Sequence, residues 1–232
     1  MKPHLSDYWA IPPDQNAEFI YYMEDVLELY QEPYDESRPV ICFDESSKTL
    51  RGHKRDPLPA KPGAVARIDT HYERNGEKKL HLATEPLTGW VNVEVTDRRR
   101  TKEWIDQMIE LADDHYPDAE CIRVVVDHLN THNPAGFYQF LPPEKAQAYL
   151  DRFEFHYVPK HGSWLNMAEI ELGVLKRQCL DRRIYHAATL RSEVAAWQAK
   201  RNAADRLIDW QFTTDDARIK LRRLYPVALE ES

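Results

Sequence analysis

The sequence is short of cysteine and glycine, and it has no long apolar run. Its three cysteines, Cys42, Cys121 and Cys179, lie far apart and form no CxxC pair. This excludes a disulfide framework and a zinc knuckle and indicates a reducing compartment. Seven glycines and fifteen prolines in 232 residues are too few for a low-complexity chain. No apolar run approaches about 18 residues and no signal peptide is evident, so we expect a cytoplasmic protein with no membrane association.

What the sequence does have is charge, and that charge is unevenly distributed. The net charge of −8 is unusual for a protein that binds nucleic acid. Residues 1–45 carry eleven acidic and two basic side chains, whereas the remainder carries 28 acidic and 29 basic ones. The acidity therefore belongs to the N-terminal segment, and the rest of the chain can still present basic patches to a polyanion.

Hydrophobic periodicity predicts an α/β fold, a mixed sheet flanked by helices. A first helix is predicted after Asp14, its N-cap, and the short strand VICFDES follows it. AVARIDTHYER and KKLHLATEPL are predicted to form a hairpin around Asn75-Gly76, and GWVNVEVT is the next strand. CIRVVVDHL and FEFHYV are later strands, each preceded by a helical pattern, and further helices follow.

Two of the predicted strands end on an aspartate. VICFDES reaches Asp44 and VVVDHL reaches Asp127, although a carboxylate is costly to desolvate without a hydrogen-bond donor or a metal ion. One such residue is usually structural, but two on adjacent strands favour a cation site. Glu45 follows Asp44 on the strand and must point to the opposite face.

A third carboxylate is available on the helix that follows HGS. Glu169 and Glu171 point about 160° apart on it, so only one can face the sheet edge. Spacing alone leaves the choice open. We interpret Glu169 as the third ligand, because Lys176 and Arg177 lie on the same stripe, and Glu171 as solvated surface. Three carboxylates suit Mg²⁺, and two ions about 4 Å apart suit phosphodiester chemistry.

The same segments resemble a known family. CFDES, VVVDHLNTH and HYVPKHGSWLNMAEIELGVLKRQCLDRRI are similar to the DDE endonuclease domain of bacterial insertion-sequence transposases of the mariner-like superfamily, and the resemblance extends roughly from Tyr8 to Asp209. It implies an RNase H-like fold with a five-stranded sheet. It also implies that two Mg²⁺ ions, with Mn²⁺ as an alternative, serve cleavage of transposon ends and joining to target DNA. The implied catalytic and metal-binding residues are Asp44, Asp127 and Glu169, with Asp44 shared by both ions.

The resemblance also gives an expected organisation. Residues 1–38 form an acidic helical leader packed on the catalytic domain, 39–212 form that domain, and 213–232 form a tail with helical potential. Family members normally carry helix-turn-helix modules before the catalytic domain, and this sequence begins close to it. A split reading frame with a separately encoded helix-turn-helix partner, a truncated remnant and a trimmed chain are the alternatives. A nucleoid-associated homodimer on DNA is expected.

The basic side chains near the third motif are candidate DNA contacts, with a solvated surface as the alternative for each. They are Lys160, His161, Lys176, Arg177, Arg182 and Arg183.

The second motif contains two histidines. His128 replaces the asparagine usual there, and His132 is expected to orient a loop or contact DNA. A zinc site on these histidines is disfavoured, since no HExxH or cysteine lies nearby. Ser163 is the predicted N-cap of the third-motif helix. Two other functions stay open: a stand-alone RNase H-like nuclease, and a non-catalytic remnant or regulator that binds DNA or a full-length partner.

Overall fold

The computed structural model describes residues 14–226, and a mixed five-stranded sheet forms its centre. In spatial order the strands are β3, β2, β1, β4 and β5. β1 pairs antiparallel with β2 and parallel with β4, β2 pairs antiparallel with β3, and β4 pairs parallel with β5. Their bounds are β1 Val40–His53, β2 Tyr72–Glu85, β3 Trp90–Thr96, β4 Ile122–Asp127 and β5 Phe153–Val158.

Helices cover both faces of this sheet. One apolar core lies between the sheet and α1, α5, α6 and α7, and a second lies between the opposite face and α2, α3 and α4. α2 and α5 each continue into a π-helical turn, over Leu111–His115 and Lys176–Leu180. The helices are α1 Ala17–Gln31, α2 Thr101–Glu110, α3 Gly136–Phe140, α4 Pro143–Leu150, α5 Ala168–Leu175, α6 Ala187–Asn202 and α7 Thr214–Lys220.

The first helix buries the apolar side chains that its periodicity predicted, including Phe19, Met23 and Leu27. Its predicted N-cap was wrong by two residues, because Asn16, and not Asp14, accepts the hydrogen bond from the Phe19 amide at 2.9 Å. The last helix begins with a capping box between Thr213 and Asp216. The rest of the predicted tail, residues 227–232, and the start of the predicted leader, residues 1–13, lie outside the described residues.

The predicted hairpin around Asn75-Gly76 was wrong. Both residues lie inside β2, which pairs with β1 along its whole length, and residues 54–71 connect the two strands. Gly76 has φ 85°, and the register between β1 and β2 shifts by one residue at this point. A glycine in the left-handed region supports a β-bulge as readily as a hairpin turn. Local sequence cannot distinguish the two, because the choice depends on which strand lies opposite.

Side chains of α6 close the outer edge of the sheet. Asn202 accepts from the Val91 amide and donates to the Val91 carbonyl, both at 2.9 Å. Gln198 accepts from the Val93 amide at 2.8 Å. These amides satisfy edge groups of β3 that would otherwise be free to pair with another chain. Within residues 14–226, no helix is both long and apolar enough to cross a bilayer.

Candidate active site

Asp44 and Asp127 lie level with each other on two adjacent parallel strands. Asp127 ends β4, whereas Asp44 lies inside β1, which continues to His53 instead of ending near Asp44 as predicted. Cys42 of β1 is in register with Val125 of β4, and each aspartate lies two residues further along its strand. Both therefore face the side of the sheet that carries α1 and α5, where Cys42 and Val125 are buried. Neighbouring strands are about 4.8 Å apart, so the two carboxylates project from adjacent positions.

The helix that carries Glu169 is fastened to the residue before Asp44. Asn166 donates from Nδ2 to the carbonyl of Phe43 at 2.8 Å, and its Oδ1 accepts from the Ala168 amide at 3.1 Å. The side chain is buried and thus joins strand β1 to the start of α5. The predicted cap Ser163 was wrong: it begins a separate turn over Ser163–Leu165, and the side chain of Asn166 instead bonds the amide of Ala168, the first residue of α5.

Sequence analysis did not assign this role to Asn166. A signal for it was present, because asparagine is a favoured helix cap and Asn166 precedes the glutamate by three residues. Its bond to the Phe43 carbonyl joins residues 123 positions apart, and no local pattern reports such a contact.

Burial and neighbouring negative charges raise the pKa of Asp44. Burial, the largest cause, and the negative charges of Asp127, Glu169 and Glu45 raise the pKa of Asp44 to about 7. A hydrogen bond of 2.7 Å from the Glu45 amide acts in the opposite direction and lowers this pKa. Among the described residues, no lysine, arginine or histidine lies within an ion-pair distance of 4.0 Å from Asp44 or Glu169. The site is therefore a concentration of negative charge that a cation would neutralise.

The arrangement is not a closed metal site. Within residues 14–226, no group of three histidine, cysteine, aspartate or glutamate side chains is placed to hold a metal ion. The side chain of Asp127 is 31% exposed, and Glu169 is exposed on the first turn of α5. The donors are all carboxylate oxygens, and this chemistry fits a hard divalent cation.

The two histidines of the second motif have different surroundings. His128 stacks on Tyr157 with ring centroids 4.5 Å apart and meets Tyr22 edge-on at 4.6 Å. Its Nδ1 lies 3.2 Å from the carbonyl of Val158. His132 is buried, with Nδ1 2.5 Å from Oδ1 of Asp127 and Nε2 3.2 Å from Oε1 of Glu45. Burial lowers the pKa of His132, but the neighbouring carboxylates of Asp127 and Glu45 outweigh burial and raise that pKa to about 9.

Glu171 is buried, so its prediction as solvated surface was wrong. Its side chain is 1% exposed and forms an ion pair with Arg201 of α6, whose Nε donates to Oε2 at 2.8 Å. The 160° separation from Glu169 was correct, but the far side of α5 faces α6 rather than water. The structure thus separates the two glutamates by exposure, with Glu169 exposed and Glu171 in the packing between helices.

The predicted DNA contacts fall into two groups. Lys160, His161, Lys176 and Arg177 are exposed, the first two in the loop between β5 and α5 and the other two in the π-helical turn after α5. Arg182 pairs with Glu193. Arg183 donates to the carbonyls of residues 69–71, so its guanidinium secures the β1–β2 connection. DNA contact by all six stays a prediction, and the geometry favours the first four.

Comparisons with known proteins identify a family and a fold. A family model described as DDE superfamily endonuclease matches residues 39–191. A search of curated proteins gave no match. The fold is similar to a crystal structure of the Mos1 mariner paired end complex with Mn, with a TM-score of 0.57 and 14% identity over 84% of this chain and 59% of that one.

Two further Mos1 structures give the same result. The paired end complex with Mg has a TM-score of 0.56 at 12% identity, covering 96% of this chain and 67% of that one. The strand transfer complex has a TM-score of 0.57 at 11% identity, covering 84% and 57%. This chain thus spans about 59% of the length of the first Mos1 chain. The likeness confirms the RNase H-like fold, and because the family model matches more than half of the sequence, the chain belongs to the DDE superfamily endonucleases.

Proposed function

We propose that this chain is the catalytic domain of a mariner-like insertion-sequence transposase, which cleaves DNA at transposon ends and joins the 3′ hydroxyl to target DNA. The main support is the placement of Asp44 and Asp127 at one level of adjacent strands. The bond from Asn166 to the Phe43 carbonyl brings the start of the Glu169 helix to the same edge. Family membership supports the same assignment.

In this proposal Asp44, Asp127 and Glu169 would hold two divalent ions, Mg²⁺ or Mn²⁺. The charge of Glu169 contributes to the raised pKa of Asp44, which supports placing Glu169 in the same site. Mos1 complexes solved with Mn and with Mg support the choice of ion. Such ions, when bound, activate the attacking oxygen and stabilise the leaving oxygen of an in-line displacement at phosphorus. The protein's own contribution is to fix three carboxylates at one edge of a rigid sheet.

The proposed partners are transposon-end and target DNA and a second copy of this chain. The Mos1 paired-end and strand transfer complexes support DNA as the substrate. The connection between β1 and β2 exposes Leu58, Val65 and Ile68 at 61%, 83% and 58%, and such apolar side chains support a protein contact. A separately encoded helix-turn-helix partner and action on the bacterial nucleoid in the cytoplasm stay expectations from the resemblance.

Nicking of supercoiled DNA by the purified chain in Mg²⁺ or Mn²⁺ tests the proposal. We expect Asp44→Asn, Asp127→Asn and Glu169→Gln each to abolish nicking, because each removes a carboxylate that holds an ion. Glu144→Gln is the matched control for Glu169, since Glu144 is also an exposed glutamate in the first turn of a helix. It should nick at the wild-type rate.

The outcomes separate the three candidate functions. Nicking at the wild-type rate by any of the three variants would show that these carboxylates do not form the active site. Nicking without joined product, in an assay that supplies cut transposon ends and target DNA, would identify a stand-alone nuclease. DNA binding with no nicking by the wild-type chain in either ion would identify a non-catalytic regulator.

A further inference from the structure

A buried carboxylate lies directly behind the proposed active site. Glu45 follows Asp44 on β1 and projects to the opposite face, where its side chain is 1% exposed. Two imidazoles approach the same oxygen, Oε1: His81 from β2 with Nδ1 at 3.3 Å, and His132 with Nε2 at 3.2 Å. Arg99 lies at the other oxygen, with Nε 3.5 Å from Oε2. None of these side chains is needed to hold an ion in the proposed mechanism.

His132 connects this cluster to the catalytic face. Its Nδ1 is 2.5 Å from Oδ1 of Asp127 and 3.3 Å from the Asp127 carbonyl, while its Nε2 faces Glu45. The ring is 0% exposed and is enclosed by Phe43 and Trp104, with centroids 5.6 and 5.7 Å away. A ring held in this way cannot rotate without losing both carboxylates, so the imidazole has one orientation.

The desolvation cost of burying these polar side chains indicates that they serve a function. Two histidines and a carboxylate are buried where apolar side chains would pack at less desolvation cost. Neither oxygen of Glu45 has a well-directed hydrogen bond among the described residues. Glu45 therefore gains little stability for itself, but its position fixes which way the imidazole points.

We propose that His132, held from behind by Glu45, is a positioning residue that fixes Oδ1 of Asp127 and leaves Oδ2 as the oxygen available to a cation. The inference rests on the proposed function. A carboxylate that is free to rotate must be ordered when it binds an ion, whereas a carboxylate held by an imidazole is already ordered. Loss of such support typically weakens metal binding by roughly 10- to 100-fold.

Two substitutions at His132 separate positioning from packing. The amide nitrogen of asparagine corresponds in position to Nδ1 of histidine, so His132→Asn keeps a donor for Asp127 and loses Glu45. The amide nitrogen of glutamine corresponds to Nε2, so His132→Gln keeps a donor for Glu45 and loses Asp127. Glu45→Gln leaves His132 in place with a weaker partner. Glu85→Gln is the matched control, because Glu85 is another buried glutamate, at the end of β2 and bonded to Tyr116 and Thr88.

The measurement is the dissociation constant for Mn²⁺ alone, by calorimetry or by the electron paramagnetic resonance signal of free Mn²⁺. We expect His132→Gln to raise it by roughly 10- to 100-fold. His132→Asn and Glu45→Gln should raise it less, and Glu85→Gln should leave it unchanged. In the His132→Asn background, Glu45→Gln should not raise the dissociation constant further, because the contact between residue 132 and Glu45 is already lost there. Thermal unfolding without metal reports folding separately.

Equal Mn²⁺ affinity for wild type and a folded His132→Gln would overturn the inference. If that variant does not fold, unchanged affinity in both His132→Asn and Glu45→Gln would overturn it instead, as would fully additive effects in the double variant. These results are distinct from failure of the proposed function. In that case wild type would bind Mn²⁺ no better than Asp44→Asn.

Discussion

At the scale of the residue, position on the backbone decides what each acidic side chain does. Asp44 and Glu45 are neighbours in sequence, yet one faces the proposed catalytic edge and the other a buried cluster, because side chains alternate along a strand. Glu169 and Glu171 differ in the same way around a helix. The four carboxylates thus serve different roles with no difference in chemistry.

The raised pKa of Asp44 predicts how stability changes with pH. The native chain keeps the Asp44 proton up to a pKa of about 7, whereas the unfolded chain releases it near 3.8. Between these values the native state binds more protons, so the free energy of unfolding of the metal-free protein falls as the pH rises. Above pH 7 the penalty is on the order of 4 kcal/mol.

Asp44→Asn removes that penalty, because an amide does not ionise. We expect the metal-free variant to be more stable than wild type at pH 7.5 and to approach it at pH 4. Urea unfolding in EDTA at several pH values measures the difference. Asp127, Glu169 and Glu45, the acids that act on Asp44, are present in both proteins. A difference that does not depend on pH would show that Asp44 is an ordinary solvated acid.

At the scale of the element, two asparagines join helices to strands. Asn166 connects the start of α5 to the Phe43 carbonyl, and Asn202 connects the end of α6 to both backbone groups of Val91. Each makes two hydrogen bonds to the main chain. Only Asn166 lies beside the proposed catalytic edge, so the pair separates loss of stability from loss of function.

Asn166→Ala should lower both stability and nicking. The lost bonds to the Phe43 carbonyl and the Ala168 amide leave buried backbone groups unpaired, at a cost of about 1–3 kcal/mol. The start of α5 then loses its link to β1, and Glu169 moves with it. We expect Asn202→Ala to be destabilised by a similar amount and to nick at a rate close to that of wild type, with urea unfolding and initial nicking rates measured on the same preparations.

Equal loss of nicking in the two asparagine variants would mean that stability alone limits activity. Normal nicking by Asn166→Ala would mean that α5 stays in place without its anchor. Either result would exclude a specific role of Asn166 in positioning Glu169.

At the scale of the whole molecule, a chain with a net charge of −8 is proposed to bind a polyanion. The acidic residues are concentrated before residue 46, and Lys176 and Arg177 lie exposed beyond the Glu169 helix. Contact with phosphate releases condensed counterions, so each contact contributes to the salt dependence of DNA binding.

Lys176→Gln and Arg177→Gln should each weaken DNA binding at low salt and reduce the slope of log affinity against log salt by about 1. Fluorescence anisotropy of a labelled duplex in EDTA measures both quantities without cleavage. Lys145→Gln is the control, because Lys145 is an exposed lysine on α4, which covers the opposite face of the sheet. An equal change in slope for Lys145→Gln would mean that binding follows total charge rather than this surface.

Local patterns were sufficient for several features of this protein. The apolar run before Asp127 and the periodicity of α1 predicted their elements, because each depends on residues a few positions apart. The resemblance of the acidic motifs indicated the family, and it favoured Glu169 where spacing had left Glu171 open. The placement of Asp44 and Asp127 on neighbouring strands followed from the same motifs.

Other features depended on contacts between distant parts of the chain, which only the tertiary structure decides. Asn75-Gly76 became a bulge because β1 lies opposite it, and Glu171 became buried because α6 covers it. His132 meets Glu45 across 87 positions of sequence for the same reason. Short-range periodicity determines which side of an element a residue occupies, but the neighbour it meets there is determined by how the elements pack.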